Sequence, residues 1–287
     1  MIDQKLFIGL DIGGTKIMAA SANAQGKIEL RMRRDTPRAL ETGLVMLQKL
    51  VSELAGDRKI SGIGAAIGGP LDWRTGVVSP LHQPEWREVP LKKILSEKFS
   101  CPVHLDVDTN VAALGEYFFG GHHVDKLFYM TISTGVGGGF LENGKIYRGA
   151  NDGHPEVGHH GIPFLGKYAD KIRCNCGAPD CLEALISGSA IRRIYGKPGE
   201  ALASEEWGEV SFHLGLGLRN IASFYTPDEI VLGGGVAIGG GEAFIDNAVK
   251  AMQGRLNVVR APKVRLSRLG YDTALMGAVA AAKFGLE

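Results

Sequence analysis

The sequence carries almost no net charge, because its 287 residues include 32 Lys plus Arg against 31 Asp plus Glu. No overall field therefore favours nucleic acid or an anionic membrane as a partner. No run approaches the ~18 apolar residues of a membrane-spanning helix, and Asp3, Lys5 and Asp11 interrupt any secretion signal. These absences predict a cytoplasmic protein whose partners are small molecules, with no role for nucleic acid or membrane.

Cysteine is also scarce, and three of the four cysteines fall in one short segment. Cys174, Cys176 and Cys181 are spaced C-x-C-x4-C. Since no secretion signal is present, thiolate ligation of a metal is favoured over disulfides. The fourth cysteine, Cys101, precedes a proline and is expected to be packed or free. A tetrahedral site needs one more ligand from elsewhere in the chain.

The common phosphate-binding motifs are missing. There is no G-x-x-x-x-G-K-[ST], and neither glycine-rich stretch is followed by the helix of a dinucleotide fold. What the chain has instead is an apolar strand over residues 6–10, then Asp11, and then a turn of Gly13, Gly14, Thr15 and Lys16.

Backbone N–H groups of this turn can approach a phosphate without a Cβ in the way, and Thr15 and Lys16 add donors. Asp11 sits at the strand end, where it can hold Mg²⁺ through water. The alternative is a plain hairpin without a ligand.

A second copy favours the phosphate interpretation. Residues 127–140 again combine an apolar strand, hydroxyls, a glycine-rich turn with Thr134, Gly135 and Gly137, and another apolar strand. Two related halves facing each other across a cleft would clamp the β- and γ-phosphates of a nucleotide.

The remaining strands and helices are predicted from the period of the apolar residues and from the turn-forming residues between them. The segment from Gly68 to Pro90 has little periodicity and is predicted to be a long binding loop. His122 and His123 are predicted to be polar surface. The other predicted strands cover residues 16–22, 28–34, 60–67, 103–107 and 229–232, and the predicted helices cover residues 39–54, 91–99, 111–119, 210–224 and 273–284.

Asp108 has two interpretations from its position at a strand's carboxyl end, ahead of a helix. It could be an N-cap that accepts helix N–H bonds, or a base at the carboxyl edge of the sheet. On position alone, the cap is favoured.

Six motifs, taken together, resemble the ROK family of bacterial sugar kinases and sugar-responsive repressors over the whole chain. They are Asp11-Ile-Gly-Gly-Thr-Lys16, Gly69-Pro70, Asp108-x-Asn110-x-Ala-Ala-Leu-Gly-Glu116, Ser133-Thr-Gly-x-Gly-Gly-Gly139, Glu156-Val-Gly-His159 and Cys174-x-Cys176-Gly-x3-Cys181-Leu-Glu183. The resemblance implies an actin-like ATPase (ribonuclease H-like) fold, with two α/β domains flanking a cleft. The expected domains are residues 1–118 with 272–287, and residues 119–271 with a zinc-binding insertion.

The resemblance also assigns roles to single residues. Asp108 matches the catalytic base that orients the sugar hydroxyl while ATP and Mg²⁺ supply the γ-phosphoryl group. The substrate residues implied are Gly69, Asp108, Glu156, His159 and Glu183. Gly234 and Gly235 match positions beside the nucleotide base and ribose, and Gly277 in the last helix matches another adenosine-side position.

His159 matches the family's zinc histidine, which would complete a structural Cys₃His site with Cys174, Cys176 and Cys181. One ring nitrogen would bind zinc while the other faces the sugar. His154 and His160 are spare candidates for the fourth ligand. A homodimer is also common in the family.

Departures from the family pattern concern the sugar side. Val107 stands where an asparagine usually hydrogen-bonds a sugar hydroxyl, Gly68 stands where proline is usual, and residues 81–83 read Leu-His-Gln. A sugar that lacks or reorients one hydroxyl is therefore possible.

Three functions remain open. The leading one is an ATP-dependent kinase of a glucose-like or N-acetylated hexose. The second is a sugar-responsive regulator. This is disfavoured because the chain starts almost directly with its first strand, which leaves no room for a helix-turn-helix. The third is a nucleotide-binding protein whose sugar pocket has decayed.

Overall fold

The computed structural model describes residues 5–164 and 168–286. Asp3 and the outer limits of the predicted first domain, residues 1 and 287, lie outside the described residues. The chain divides into two compact units, Met1–Gly121 with Asp272–Glu287 and His122–Tyr271. The domain assignment made from sequence stays a prediction. Among the described residues, no helix combines the length and apolarity needed to cross a membrane.

The first unit contains eight strands and four helices among its described residues. They are β1 (Leu6–Ile12), β2 (Lys16–Ala22), β3 (Ile28–Asp35), α1 (Leu40–Ala55), β4 (Ile60–Ile67), β5 (Leu71–Asp72), β6 (Val77–Val78), β7 (Val89–Pro90), α2 (Leu91–Phe99), β8 (Val103–Val107), α3 (Asp108–Phe118) and, from the end of the chain, α8 (Thr273–Phe284).

The second unit contains the remaining described strands and α-helices. They are β9 (Lys126–Ile132), β10 (Val136–Glu142), β11 (Lys145–Ile146), α4 (Glu183–Ile186), α5 (Gly188–Tyr195), α6 (Ser204–Tyr225), β12 (Glu229–Gly233), α7 (Gly235–Gln253) and β13 (Lys263–Leu266).

The main sheets of the two units have the same topology. The first is ordered β3-β2-β1-β4-β8 and the second β11-β10-β9-β12-β13. In each, an antiparallel meander of three strands is followed by two strands that run parallel to the first. The internal repeat seen in the glycine-rich stretches therefore extends to whole sheets.

The core of the first unit forms where helices cover the sheet. Helix α1 contributes one apolar face to this core, since Leu47, Leu50, Val51 and Leu54 are buried with strand residues. Helix α8 packs on β1, β4 and α3. It approaches closely at Gly277, where a Cβ would collide with the Val111 carbonyl group of α3. Gly277 is thus a packing position, and the adenosine-side position that the resemblance implied stays a prediction.

The predicted long loop from Gly68 to Pro90 contains three two-residue strands, β5, β6 and β7, which form a small antiparallel sheet. Strands this short have no detectable period, so the sequence pattern could not show them. Trp86 in this segment is fully buried and lies against Gly43 of α1.

The prediction that His122 is polar surface was wrong. His122 is 2% exposed, and its Nδ1 lies 3.2 Å from Oε1 of Glu229, a buried carboxylate. Arg265 Nε lies 2.6 Å from the same oxygen. A histidine can be buried when polar or charged side chains of neighbouring strands contact it. Here these partners are over a hundred positions away in the chain, so the local sequence could not show them. Cys101 is buried, as expected for a packed thiol.

Candidate active site and metal centre

The turn between β1 and β2 carries the first glycine-rich stretch. The Gly13 N–H donates to the Lys16 carbonyl oxygen at 3.0 Å, which closes the turn. The Thr36 hydroxyl, at 2.6 Å, and the Gln83 side-chain amide, at 3.3 Å, donate to the Gly13 carbonyl oxygen. Residues 14–16 are exposed. The turn is fixed at its base while its tip is open to a ligand.

The carboxyl ends of three parallel strands meet beside this turn. The register pairs Ile12 of β1 with Ile67 of β4, and Ile67 with Val107 of β8. Asp11, Gly69 and Asp108, which were picked out separately from the sequence, are therefore brought to one edge of the first sheet.

The pKa of Asp11 is shifted by its surroundings at this edge of the sheet. The pKa of Asp11 is raised to about 6, mainly by burial and next by the charge of Asp108, while the Lys16 cation opposes both effects. A buried carboxylate whose pKa is raised by a neighbouring carboxylate is also stabilised by a divalent cation beside it. The oxygen donors at this edge suit Mg²⁺, whose preferred ligands are carboxylate and water.

Asp108 is the first residue of α3, and its side chain is exposed. Its Oδ1 accepts a hydrogen bond from the Thr109 N–H at 2.8 Å. The N-cap position is occupied by Val107, which has no capping atom. Asp108 therefore accepts one helix N–H without being the N-cap residue, and its carboxylate is exposed at the edge of the sheet.

Asp106, which sequence reasoning did not consider, fixes the start of α3. Its buried Oδ1 accepts from the Val107 N–H at 2.7 Å and from the Asn110 side-chain amide at 3.2 Å. The only sequence signal for this support was the pattern Asp-x-Asp-x-Asn.

Val107 gives this edge an apolar wall. Its side chain is buried, and a Cβ placed on Gly69 would lie 3.5 Å from Val107 Cγ1. A methyl group, with no capacity for hydrogen bonding, therefore lies next to Gly69.

The second unit has a comparable turn, between β9 and β10. The Ser133 N–H donates to the Gly135 carbonyl oxygen at 2.9 Å, and the Gly188 N–H donates to the Ser133 carbonyl oxygen at 2.7 Å. Gly137 lies in β10, paired with Thr131.

A cavity of about 200 Å³ lies beside this turn. Gly188 and Gly235, the first residues of α5 and α7, are in its wall, so two helix N-termini open towards it. Gly234 precedes α7 with φ of 86°, a conformation that favours glycine. The lining residues are Ser133, Thr134, Gly188, Arg192, Gly199, Glu200, Trp207, Gly235, Val236, Gly239 and Tyr271.

Sequence reasoning found Thr134 and Gly235 in this wall but missed Arg192, Trp207 and Tyr271. No sequence signal marked Tyr271 as a cavity residue, and only the structure shows that this aromatic side chain is 76% exposed. Trp207 lies in the polar first turns of α6, outside the predicted helix.

The candidate metal centre is assembled as the sequence predicted. The donor atoms of His159, Cys174, Cys176 and Cys181 all lie within 4.8 Å of one another. His159 Nδ1 is 3.4 Å from Cys174 Sγ, and Cys176 Sγ is 3.4 Å from Cys181 Sγ. Three sulfurs and one imidazole nitrogen at these separations match the tetrahedral donor set of structural zinc.

The other nitrogen of His159 faces a carboxylate. Its Nε2 lies 4.0 Å from Oε2 of Glu156, whose Oε1 lies 3.2 Å from His154 Nε2. The hydrogen bond from His154 is the main cause that holds the pKa of Glu156 below its usual range, against the opposing effect of burial. His154, a spare metal candidate in the sequence, is therefore a partner of Glu156.

Glu183 begins α4, two residues after Cys181. Its Oε2 accepts from the Val136 N–H of the second turn at 2.8 Å, and its Oε1 lies 3.6 Å from Cys174 Sγ. The candidate residues thus form two groups. Asp11, residues 13–16, Gly69 and Asp108 belong to the first unit, and all the others belong to the second.

Known sugar kinases resemble this chain in sequence and in structure. A glucokinase of Halalkalibacterium halodurans is 29% identical over 323 residues, which cover 96% of this chain and 94% of that protein. The structure of a ROK hexokinase from Thermus thermophilus superposes with a TM-score of 0.83, at 30% identity and coverage of 96% and 97%. A ROK family glucokinase from Streptomyces griseus, in complex with glucose and AMPPNP, gives a TM-score of 0.80 at 28% identity, with 97% and 99% of the chains covered.

These neighbours confirm the predicted actin-like ATPase fold, and the glucokinase relatives support a sugar phosphotransferase as the general class. The family model described as ROK family matches residues 7–284. The chain therefore belongs to the ROK family.

Proposed function

We propose that the protein is an ATP-dependent hexose kinase that acts on a glucose-like sugar. The observation that carries the proposal is the exposed Asp108 carboxylate at the same sheet edge as Asp11 and the open 13–16 turn. Glucokinase relatives of similar length support the same activity.

Asp108 acts as the general base in this proposal. It accepts the proton of the attacking sugar hydroxyl, whose oxygen forms a bond to the γ-phosphorus. The bond from that phosphorus to the bridging oxygen breaks, and ADP leaves with the electron pair. Asp106 holds the start of α3 and thereby keeps Asp108 in position.

ATP is proposed to meet residues of both glycine turns. Mg²⁺, when bound, neutralises charge on the phosphate oxygens, and Asp11 is its candidate holder through water. The cavity of the second unit, with Trp207 and Tyr271 in its wall, suits a nucleoside. The proposed nucleotide residues are Asp11, Gly13, Gly14, Thr15, Lys16, Thr134, Gly135, Gly137, Gly234 and Gly235.

The sugar is proposed to contact Gly69, Asp108, Glu156, His159 and Glu183. Carboxylates and an imidazole are suitable acceptors and donors for a polyol. Because Val107 offers only methyl groups next to Gly69, we expect the preferred hexose to tolerate the loss of one hydroxyl contact, which typically contributes about 1 kcal/mol. The Cys₃His centre is proposed to hold a structural zinc ion, and the protein is proposed to be a homodimer.

The test is ADP release by the zinc-loaded protein with MgATP and a panel of glucose, mannose, fructose, allose, N-acetylglucosamine and N-acetylmannosamine. Turnover of one hexose that Asp108→Asn abolishes, while Asp57→Asn at an exposed turn retains it, would establish the kinase. Turnover confined to an N-acetylated sugar would move the assignment to an N-acetylhexosamine kinase. Absence of turnover across the panel, with ATP binding intact, would reject the proposal in favour of a sugar-sensing or non-catalytic protein.

A further inference from the structure

The 133–137 turn is in contact with two segments of the second unit. Both segments also contribute candidate metal ligands. On one side is Gly158, next to His159, where a Cβ would collide with the Val136 carbonyl group. On the other side is Glu183, two residues after Cys181, whose Oε2 accepts from the Val136 N–H at 2.8 Å. The N–H and the carbonyl group of Val136 are therefore each in contact with a residue close to a candidate ligand.

The segment after Glu183 makes further hydrogen bonds to the turn. The Gly188 N–H donates to the Ser133 carbonyl oxygen at 2.7 Å, and the Ser189 N–H donates to the Thr134 carbonyl oxygen at 3.4 Å. Gly135 lies directly against the Glu183 carboxylate, because a Cβ there would come within 2.7 Å of Oε2. The conformation of the turn is therefore set from outside the β9–β10 hairpin.

Among these contacts, Glu183 contributes a side-chain acceptor for an amide of the turn. Its second oxygen lies 3.6 Å from Cys174 Sγ. One carboxylate thus contacts both the cysteine cluster and the turn.

We propose that Glu183 is a positioning residue that holds the 133–137 turn in its phosphate-binding conformation and so raises the protein's affinity for the nucleotide. This rests on the proposed function for the identity of the ligand, but it assigns Glu183 an action through Val136 in addition to any contact with the sugar. A buried backbone N–H left without an acceptor costs more free energy than one whose acceptor is exchanged for another, so loss of this hydrogen bond should be measurable.

Two variants distinguish the effect of the length of the Glu183 side chain from the effect of its negative charge. Glu183→Gln keeps the length of the side chain and one acceptor oxygen but removes the charge, whereas Glu183→Asp keeps the charge and shortens the side chain by one methylene. Arg193→Gln is the matched control. Arg193 donates to the Lys171 carbonyl oxygen at 2.8 Å and to the Ala184 carbonyl oxygen at 3.0 Å, so it supports the same region through bonds that involve no turn residue.

Each variant is compared at equal zinc content, without sugar, by titration with AMPPNP and by amide hydrogen exchange of peptides that contain Val136. We expect Glu183→Asp to weaken AMPPNP binding by about tenfold and to speed exchange in the turn. Glu183→Gln and Arg193→Gln should stay within about threefold of the wild type.

Unchanged AMPPNP affinity and unchanged exchange in Glu183→Asp would overturn the proposal and leave Glu183 as a sugar ligand only. Weaker binding in Glu183→Gln than in Glu183→Asp would also overturn it, because charge rather than reach would then be decisive. If the wild type itself fails to bind AMPPNP, the proposed function fails, while hydrogen exchange still decides whether Glu183 holds the turn.

Discussion

Asp11 shows how one carboxylate can be unfavourable for folding and useful for function. It is held at a sheet edge with a second carboxylate, Asp108, and burial raises the pKa of Asp11 to about 6. An ionised group that the fold itself disfavours is stabilised when a cation binds beside it. Two predictions follow from the direction of this shift.

The affinity for MgATP should fall as pH drops through about 6, because protonated Asp11 cannot hold the cation. Titration of MgATP binding between pH 5 and 8 would measure this. Asp11→Asn should bind MgATP weakly at every pH in that range. A wild-type affinity that stays constant down to pH 5 would contradict the assignment.

Asp11→Asn should also be more stable than the wild type at neutral pH. The pKa of Asp11 is raised from 3.8 when unfolded to about 6 when folded, so the wild type loses stability as pH rises from about 4 through 6. We expect a gain of about 1 to 3 kcal/mol at pH 7 that disappears near pH 4. Urea unfolding at both pH values measures it, and equal stability at pH 7 would contradict the shift.

His154 should act on the sugar through Glu156. Its Nε2 lies 3.2 Å from Glu156 Oε1, so His154→Ala leaves that carboxylate less well oriented. We expect KM for the sugar to rise about fivefold with little change in kcat, and His154→Gln, which retains a donor, to restore part of the affinity. Initial-rate kinetics distinguishes this from a change in kcat alone, which would contradict the role.

At the scale of elements, close packing of α8 on α3 depends on a missing side chain. A Cβ on Gly277 would collide with the Val111 carbonyl group, whereas Gly208 in α6 has open space around it. Gly277→Ala should therefore destabilise the protein by about 1 to 3 kcal/mol, while Gly208→Ala should be neutral or stabilising by up to about 1 kcal/mol. Thermal unfolding of both variants measures the difference, and equal melting temperatures would contradict the packing argument.

Elements with a strong period were predictable. The strands at 60–67 and 103–107 and the helices at 91–99 and 273–284 have the predicted bounds, because burial of one face or of a whole strand leaves a clear apolar pattern. Helix α6 begins at Ser204, six residues before its predicted start. Its first turns are polar and are stabilised by Glu206, which accepts from the Ala203 N–H at 2.6 Å. Helix α7 was not predicted, since Gly239, Gly240 and Gly241 interrupt its pattern.

At the scale of the whole molecule, the candidate metal centre brings together distant segments of the second unit. His159 precedes the cysteines by fifteen positions, and the segment after Cys181 reaches the 133–137 turn through Glu183. Loss of the metal should therefore loosen more than the ligand loop.

The wild type should carry one zinc ion per chain, and Cys176→Ala should lose it. Cys101→Ala, which removes a buried thiol outside the cluster, should retain it. We expect the metal-free protein to melt several degrees lower and to exchange amides faster over residues 133–137 and 168–187, because each bound structural metal contributes to folding free energy. Metal analysis with hydrogen exchange measures both, and equal protection with and without zinc would contradict the prediction.

The local chemistry of this protein was readable from sequence because it depends on contiguous residues. The glycine turns, the Cys-x-Cys-x4-Cys spacing and the amphipathic helices each lie within about twenty positions. The tertiary structure decided what depends on strand order and register, namely that Asp11 and Asp108 share one sheet edge, that His122 is buried against Glu229, that Trp207 and Tyr271 reach one cavity, and that Glu183 holds the Val136 amide. Sequence spacing carries no information about such pairs, because their separation along the chain is set by the elements between them and their separation in space by how those elements pack.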